Sequence, residues 1–289
     1  MDLETRRRFY AEEIEVTANL KSAALVDALA TIPRERFLPP GPWAIRGEAD
    51  FQSPMRHTRD ADPKHVYHNL AVGIDPSRML FNGAPGLLAS AIDALVLKPG
   101  ARVMHLGTGS GYYTALLAHC VGETGRVLGI EVDADLAASA RQNLHSMPWV
   151  EIRHDDGRAP LNEPFDAILI NAGVTHPQPA WLDALTPQGR LIVPLTATLG
   201  AMMNIGKGLL VLLTATGDPR RFDARTVTFV AIYSALSLRD DALNQELGQA
   251  LAKHPFVPLA GLRRDAHDRA DTCWLHTADF CLFMHAAKR

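Results

Sequence analysis

The chain has 289 residues, of which 47% are hydrophobic and 21% charged, and its formal net charge is −3 at pH 7. These proportions predict a globular protein with a full core, and the slightly acidic balance disfavours general nucleic-acid binding. No apolar run reaches the length of a membrane span, no secretory leader pattern opens the sequence, and three cysteines do not make a disulfide framework. We therefore expect a cytoplasmic protein that binds neither nucleic acid nor membrane; the oligomeric state stays open.

The first part of the sequence, residues 1–96, predicts a helical region with a long loop. Periodicity indicates helices over 3–20 and 22–32, with Ser22 placed to cap the second one. From 39 to 69 the chain is polar, contains Pro and His, and shows little periodicity. Loops of this length are usually functional or disordered. We interpret this one either as a lid that recognises a substrate or as a flexible insertion.

A glycine-rich turn follows the first clear strand pattern. The apolar run Arg102 to Leu106 leads into Gly107, Gly109 and Gly111, and a helix begins near Tyr112. Glycine lacks a Cβ, so its amides can approach a ligand closely, and the helix start adds N–H groups and the positive end of a dipole. The pattern is typical of a nucleotide-cofactor site, although such turns also close βα units that bind nothing.

An acidic residue at the end of the next strand pattern strengthens this interpretation. Glu131 closes the run that starts at Arg126 and lies 20 positions after Gly111, where a carboxylate can accept hydrogen bonds from ribose hydroxyls. A dinucleotide fingerprint would have its third glycine at position 112, which is Tyr112 here, so dinucleotide binding is disfavoured. A solvated carboxylate at a strand end is the alternative for Glu131.

Two further strand patterns also end in polar or glycine-rich residues. The strand that starts at Val150 leads into Asp155-Asp156-Gly157, and the strand that starts at Phe165 leads into Asn171. Because open α/β sheets bind ligands at the carboxyl ends of their strands, we expect these residues beside the glycine turn. A solvated turn carboxylate and a simple strand end are the alternatives for Asp156 and Asn171.

The strand pattern continues beyond this point and then changes. Residues 209–214 and 226–233 predict two more strands, which could complete a seven-stranded sheet in a cofactor domain over 97–235. A charged helix from 239 to 253 and two short strands in the tail predict an α+β extension over 236–289.

The tail also contains residue types that bind zinc, at Cys273, His276, Cys281 and His285. Their spacing is not that of a common zinc finger, and apolar residues fill the gaps between them. We therefore favour a β-hairpin with buried cysteines and predict no metal site. Zinc is the alternative.

Taken together, these stretches resemble the class I S-adenosylmethionine-dependent methyltransferases, and within them the protein-L-isoaspartate O-methyltransferases. The cofactor motifs are the glycine turn, the strand ending at Glu131, the Asp155–Gly157 turn and the run Leu185 to Pro194; Ile32-Pro-Arg-Glu-Arg-Phe-Leu-Pro39 narrows the resemblance to the family. The resemblance covers about residues 20–200. It implies an α/β fold with a doubly wound, Rossmann-like sheet of seven strands behind N-terminal helices. The implied cofactor is S-adenosyl-L-methionine, with S-adenosyl-L-homocysteine as product.

The resemblance also implies roles for particular residues. The glycine turn would hold the methionine part of the cofactor, Glu131 the ribose, and Asp156 with the Gly157 amide the adenine. His105 stands where the family usually has an acid, so a neutral imidazole would replace that contact. The implied cofactor-binding residues are His105, Gly107, Thr108, Gly109, Ser110, Gly111, Glu131, Asp156 and Gly157.

The predicted acceptor side departs from the family. Gly83 stands where the family has an acceptor-site Ser, and Asn69 where the family has an acid in a Tyr-x-Asp element. Transfer to a carboxylate needs alignment more than a general base, so we predict polar acceptor contacts from Asn82, Tyr67 and Asn171. The alternatives for these three are a turn residue or helix cap, a packing aromatic and a strand end, respectively.

We therefore expect an O-methyltransferase that methylates a carboxylate of a peptide or protein, as the isoaspartate repair enzymes do. Because Gly83 replaces the family Ser, two alternatives stay open: a methyltransferase of a small metabolite or modified peptide, and a cofactor-binding module without catalysis. A nicotinamide oxidoreductase is a third possibility, opposed by Tyr112.

Overall fold

The computed structural model describes residues 2–47, 55–198 and 205–285. The chain forms two compact units: the first contains residues 1–101 and 108–154, and the second contains residues 102–107 and 155–289. The chain therefore passes from one unit to the other three times. The domain boundaries expected after residues 96 and 235 stay predictions.

The helices and strands lie mostly where periodicity places them. The helices are α1 (Leu3–Ala18), α2 (Ala23–Thr31), α3 (Pro85–Ala94), α4 (Tyr112–Val121), α5 (Ala134–Asn143), α6 (Pro179–Asp183) and α7 (Asp241–Lys253). The strands are β1 (Ala44–Arg46), β2 (Arg56–His57), β3 (Ala71–Asp75), β4 (Leu80–Phe81), β5 (Arg102–Leu106), β6 (Arg126–Glu131), β7 (Val150–His154), β8 (Phe165–Ile170), β9 (Leu185–Ala197), β10 (Ile205–Ala215), β11 (Arg221–Tyr233), β12 (Leu259–Arg263), β13 (Cys273–His276) and β14 (Cys281–Met284). Within the described ranges, no helix combines the length and apolarity needed to cross a bilayer.

Side-chain caps set where the first two helices begin. The Asp2 carboxylate accepts a hydrogen bond from the Thr5 N–H at 2.7 Å, and the Ser22 hydroxyl, the predicted cap of α2, accepts one from the Leu25 N–H at 3.3 Å. The carboxylate of Asp93 in α3 accepts from the Ser22 N–H at 2.8 Å and so ties the start of α2 to α3. Caps of this kind contribute about 1 kcal/mol each.

A small antiparallel sheet occupies part of the segment interpreted above as a loop. Its strand order is β2-β1-β3-β4, so the two strands from 39–69 pair with each other, and β1 also pairs with β3, which follows them. A short 3-10 helix, Pro63–Val66, lies between β2 and β3 and is capped by Asp62. Strands of two to five residues are too short for alternation to predict them. Residues 48–54 of the proposed lid lie outside the described residues.

The first unit also contains two parallel strands, each beside a helix. β6 pairs with β7 from Val127 opposite Val150 to Glu131 opposite His154. α5 begins three residues after the end of β6, because the Asp133 carboxylate accepts hydrogen bonds from the first backbone N–H groups of that helix. Glu131 therefore lies at the carboxyl end of a strand, two residues before a helix cap.

The second unit contains a mixed sheet with the strand order β13-β14-β12-β11-β10-β9-β8-β5. β5, β8 and β9 run parallel, and the other pairs are antiparallel. β8 is buried from Ala167 to Ile170, as is usual for a parallel strand. The predicted tail hairpin is confirmed as β13 and β14, and β12, which the sequence pattern does not predict, joins it to β11.

β9 and β10 approach each other so closely at Gly208 in β10 that no side chain fits there. A Cβ added there would lie 2.0 Å from the carbonyl oxygen of Leu195 and 2.9 Å from Thr196 Cα, both in β9. Since the obstacle is backbone, Gly208→Ala should lower the free energy of unfolding by about 1–3 kcal/mol. Denaturant titration measures this change.

The matched control is Gly248→Ala in α7. Its added Cβ would meet Ala197 Cβ at an ordinary 3.6 Å, so the higher helix propensity of Ala should raise the free energy of unfolding by about 1 kcal/mol. A Gly208→Ala protein that equals the wild type in stability would contradict the close approach of β9 and β10.

Candidate functional site

The turn after β5 has the left-handed backbone that its glycines permit. φ is 81° at Gly107, 57° at Gly109 and 102° at Gly111. A Cβ at Gly107 would also lie 3.0 Å from the carbonyl oxygen of Asn171. The turn therefore requires glycine for its backbone angles and, at Gly107, for space.

Polar side chains hold the turn in the first unit. The backbone N–H and the hydroxyl of Thr108 both donate to the Ile130 carbonyl, at 3.3 and 3.2 Å. The Ser110 hydroxyl donates to the Phe37 carbonyl at 2.5 Å, and the Asn143 amide donates to the Ser110 carbonyl at 2.9 Å. The side chains predicted to bind cofactor at 108 and 110 thus serve the fold, and the turn can present its backbone in one fixed shape.

The carboxylate of Glu131 lies against this turn. One oxygen accepts from the Gly109 N–H at 2.7 Å and the other from the Asp133 N–H at 3.0 Å. The residue is 7% exposed, and burial raises the pKa of its carboxyl group although these N–H donors lower it. A carboxylate has about four lone-pair positions, so acceptor capacity remains for hydroxyl groups of a ligand. This arrangement fits a ribose diol.

In the second unit, the Asp155–Gly157 turn is closed by its own hydrogen bonds. The Gly157 N–H donates to the Asp155 carboxylate at 2.7 Å. The Arg158 guanidinium donates to the Asp156 carboxylate at 2.6 Å and holds the pKa of that carboxyl below its usual value. The Gly157 N–H thus has an acceptor within its own turn, and the adenine contact expected of this amide stays a prediction.

His105 in β5 has no exposed surface. Burial lowers the pKa of its imidazole to about 3, so the ring is neutral at physiological pH, as the sequence predicts. A side chain without accessible surface supports the strand that leads to the turn. The cofactor contact expected of His105 stays a prediction.

Asn171 ends β8 next to the first glycine of the turn. Its backbone N–H donates to the Leu106 carbonyl at 2.8 Å, and its side-chain amide donates to the Gly107 carbonyl at 3.3 Å. The half-buried side chain thus lies at the carboxyl ends of β5 and β8, where open α/β sheets bind ligands.

A buried guanidinium organises the predicted acceptor residues of the first unit. Arg34 has no exposed surface. Its two terminal nitrogens donate to four backbone carbonyls, those of Val66 (2.8 Å), His68 (3.3 Å), Leu70 (2.9 Å) and Gly83 (3.1 Å). These carbonyls replace the water that the charge loses on burial. Because Glu35 and Arg36 follow it directly, no local pattern in the sequence distinguishes Arg34 as the buried charge.

Tyr67 lies within the segment that Arg34 holds. It is 1% exposed, and its hydroxyl donates to the Glu35 carboxylate and accepts from the Arg34 N–H at 3.3 Å. Burial and the Glu35 hydrogen bond raise the pKa of the phenol. The hydroxyl is therefore hydrogen-bonded inside the fold and does not reach solvent, and the acceptor contact expected of Tyr67 stays a prediction.

Two asparagines near the start of α3 have different surroundings. The Asn69 side-chain oxygen accepts from the Gly86 N–H at 2.8 Å and so satisfies an N–H of the first helical turn. The side-chain oxygen of Asn82 is buried and has no hydrogen-bond partner among the described residues. A buried acceptor without a donor is costly, which makes Asn82 a candidate to receive a donor from a ligand.

Gly83, between Asn82 and α3, adopts a φ of 68°. A Cβ there would lie 3.1 Å from Leu88 Cδ2. The carbonyl of Gly83 accepts from Arg34 and also from the Tyr113 hydroxyl, at 3.2 Å. The backbone at this position is therefore fixed in a shape that disfavours Ser, the residue the family has there.

The sequence is similar to known protein-L-isoaspartate O-methyltransferases. The family model of protein-L-isoaspartate(D-aspartate) O-methyltransferase matches residues 52–209. A protein-L-isoaspartate O-methyltransferase from Methylorubrum extorquens is 33% identical over 244 residues, which is 82% of this chain and 92% of that protein. One from Pyrobaculum neutrophilum is 30% identical over 224 residues, covering 76% of this chain and 93% of that protein.

Solved structures agree on the fold. A protein-L-isoaspartate O-methyltransferase structure aligns with 97% of this chain and 88% of its own at a TM-score of 0.63 and 19% identity. A structure from Plasmodium falciparum, described as a protein-L-isoaspartate O-methyltransferase in complex with S-adenosyl-L-homocysteine, aligns with 79% of this chain and 97% of its own. The TM-score is 0.59 and the sequence identity is 18%. These similarities confirm the predicted α/β fold class.

The four carbonyl contacts of Arg34 give a stability prediction. Lys keeps the charge but has three donors on one atom instead of the planar fork, so Arg34→Lys leaves buried carbonyls without donors. It should lower the free energy of unfolding by about 2–5 kcal/mol. Arg36→Lys, an exposed Arg in the same motif, should change it by less than about 0.5 kcal/mol. Equal stability of the two variants in denaturant titration would contradict the role of Arg34.

Proposed function

The chain belongs to the protein-L-isoaspartate(D-aspartate) O-methyltransferase family, and from that premise we propose that it methylates the free carboxylate of isoaspartyl residues in peptides or proteins. The enzyme uses S-adenosyl-L-methionine and releases S-adenosyl-L-homocysteine. The observation that carries the proposal is the family match, which spans the glycine turn, Glu131 and Asp156.

For the cofactor, we propose contacts that use the atoms left free by the fold. Glu131 has lone pairs available for the two ribose hydroxyls. The left-handed glycines at 107, 109 and 111 let backbone approach the methionine part, since a side chain at any of them would be strained. Asp156 retains partial exposure beside Arg158 and is our candidate for the adenine amino group.

For the acceptor, we propose that Asn82 and Asn171 supply polar contacts and that Tyr67 positions its segment. The unpartnered side-chain oxygen of Asn82 can accept from a backbone N–H of a peptide. The Asn171 amide lies at a strand end next to Gly107. Tyr67 acts through Glu35, because its hydroxyl is already hydrogen-bonded there.

The reaction requires little proton chemistry from the protein. When held by the glycine turn and Glu131, S-adenosylmethionine would supply a methyl group on a sulfonium for an acceptor carboxylate oxygen, with a neutral thioether as the leaving group. Since the carboxylate is already an anion, no side chain has to act as a base. The protein has to align the reactants and exclude water, and alignment accounts for about 7–11 kcal/mol in intramolecular precedents.

Family membership does not favour the other activities considered for this sequence. A small-metabolite methyltransferase and a catalytically silent module were suggested by the missing Ser at Gly83. The backbone at Gly83 is held by Arg34 and Tyr113 without that hydroxyl, so its loss leaves the local structure intact. The direct test is therefore one of acceptor choice.

The test compares two peptides of identical composition, one with an isoaspartyl and one with a normal aspartyl residue at the same position. With methyl-labelled cofactor, we expect base-labile methyl ester only on the isoaspartyl peptide. Calorimetry with S-adenosylhomocysteine runs beside it. If S-adenosylhomocysteine binds but neither peptide is methylated, the acceptor assignment is wrong. If S-adenosylhomocysteine does not bind, the cofactor assignment is wrong.

Glu131→Gln tests the proposed ribose contact. Loss of a charged acceptor is worth about 1.5–3 kcal/mol, so S-adenosylhomocysteine should bind about 10- to 150-fold more weakly. Wild-type affinity should fall as the pH drops, beginning above the pH at which an ordinary Glu titrates, because burial raises the Glu131 pKa and protonation removes an acceptor. The Gln variant should lack this pH dependence.

The matched control is Glu151→Gln on β7, where the carboxylate is 62% exposed and pairs with Arg153. Calorimetry between about pH 5 and 8 should give this variant the wild-type affinity and the wild-type pH dependence. If Glu131→Gln instead kept the same pH dependence as the wild type, a different group would be responsible and the ribose assignment would fail.

A further inference from the structure

The tail of the second unit brings four potential metal ligands together. The chain between β12 and β13 supplies His267, and the β13–β14 hairpin supplies Cys273, His276 and Cys281. One ligand atom from each of these residues lies within 4.8 Å of all the others. Two thiols and two imidazoles are a common ligand set for zinc in structural sites.

His267 is oriented for coordination. Its Nδ1 lies 2.8 Å from the Asp265 carbonyl oxygen, so that nitrogen donates and Nε2 carries the lone pair. Nε2 lies 3.7 Å from Cys273 Sγ. Ligands on one tetrahedral Zn²⁺ with ordinary Zn–S and Zn–N bonds lie about 3.6 Å apart. Arg263 pairs with the Asp265 carboxylate and so holds the residue whose backbone carbonyl orients His267, as outer-shell partners of metal ligands commonly do.

The two cysteines are both free thiols and are not placed as a cross-strand pair. Cys281 lies opposite His276 in the hairpin, and Cys273 lies opposite Phe283. The Ala270 N–H donates to Cys273 Sγ at 3.3 Å, an interaction that stabilises a thiolate. Cys281 is fully buried. The pair is therefore arranged to point at a common centre from two positions of one hairpin.

The ring of His276 has a buried nitrogen that points to metal binding. Its Nδ1 is buried and has no hydrogen-bond partner among the described residues. Its ring meets the His267 ring edge to face, with centroids 4.7 Å apart at 88°. A buried ring nitrogen without a partner is costly, and a metal ion beside both rings would satisfy it.

We propose that His267 Nε2, Cys273 Sγ, His276 Nδ1 and Cys281 Sγ bind one Zn²⁺. Two thiolates balance the charge of the ion, and neutral imidazoles complete a tetrahedron. Four protein ligands leave no open position, so the site is structural. It joins the chain after β12 to the hairpin whose outer strand, β13, is an edge of the sheet in the second unit.

The structure changes one member of the set that the sequence suggests. His285 follows β14 and is exposed, whereas His267 lies within the cluster. The Cys-x2-His-x4-Cys-x3-His spacing therefore includes His285, whereas the cluster in the structure has His267 as its fourth residue. The ligand set proposed here thus does not follow the spacing seen in the sequence. His285→Gln accordingly becomes the matched control for His267→Gln.

The test measures metal in tag-free, full-length protein purified with a reductant and without chelator. We expect about one zinc per chain by elemental analysis and a lower melting temperature after chelation. His267→Gln and Cys281→Ser should lose the zinc, while His285→Gln and Cys120→Ser, whose thiol lies outside the cluster, should keep it.

The wild-type protein also allows a test that does not depend on variants that fold poorly. After chelation and reconstitution with Co²⁺, thiolate ligation should give sulfur-to-cobalt charge-transfer absorption and tetrahedral visible bands. Wild-type protein that retains neither zinc nor cobalt after reconstitution, a Cys273–Cys281 disulfide under the same reducing conditions, or loss of zinc in His285→Gln would each overturn the proposal. None of these measurements uses methyl transfer, so the outcome is independent of the proposed acceptor.

Discussion

A charge buried in a protein has to be solvated by the protein itself, and in the first unit this constraint shapes the backbone. The Arg34 guanidinium reaches three carbonyls between Val66 and Leu70 only because that segment turns back on itself, and it reaches Gly83 only because the chain before α3 lies beside that segment. The same turn presents Tyr67 to Glu35. One cation therefore fixes the two segments that contain Tyr67 and Asn82, two of the residues proposed for acceptor recognition.

The parts of the structure that sequence predicts are those with local signals. Ser22 as a helix cap, the glycine turn and Glu131 at a strand end follow from residue type and spacing. β1 to β4 were missed because strands of two to five residues show no period. His267 was missed as a neighbour of Cys273 because the turn after β12, not sequence spacing, brings them together. Likewise, no sequence signal says that the Gly157 amide is already hydrogen-bonded to Asp155.

The cofactor side and the acceptor side differ in how far they depend on particular side chains. Around the glycine turn, Thr108 and Ser110 bond to backbone carbonyls, whereas the Glu131 carboxylate keeps acceptor positions for a ligand. Such a site tolerates variation provided that the backbone shape is kept. On the acceptor side, Gly83 shows the same principle, because Arg34 and Tyr113 hold its carbonyl whatever side chain the family has there. The departure from the family therefore changes a side chain without loosening the main chain.

The strand order of the second unit also has a consequence for how the chain folds. β9, β10 and β11 follow one another in sequence and pair as antiparallel neighbours, so their contacts close short loops. β5 and β8 pair in parallel although nearly sixty residues separate them. During refolding we expect the antiparallel strands to assemble first and the β5–β8 pair to form late. The contact between Gly107 and Asn171 depends on that late pair, so the first glycine of the turn meets Asn171 only near the end of folding.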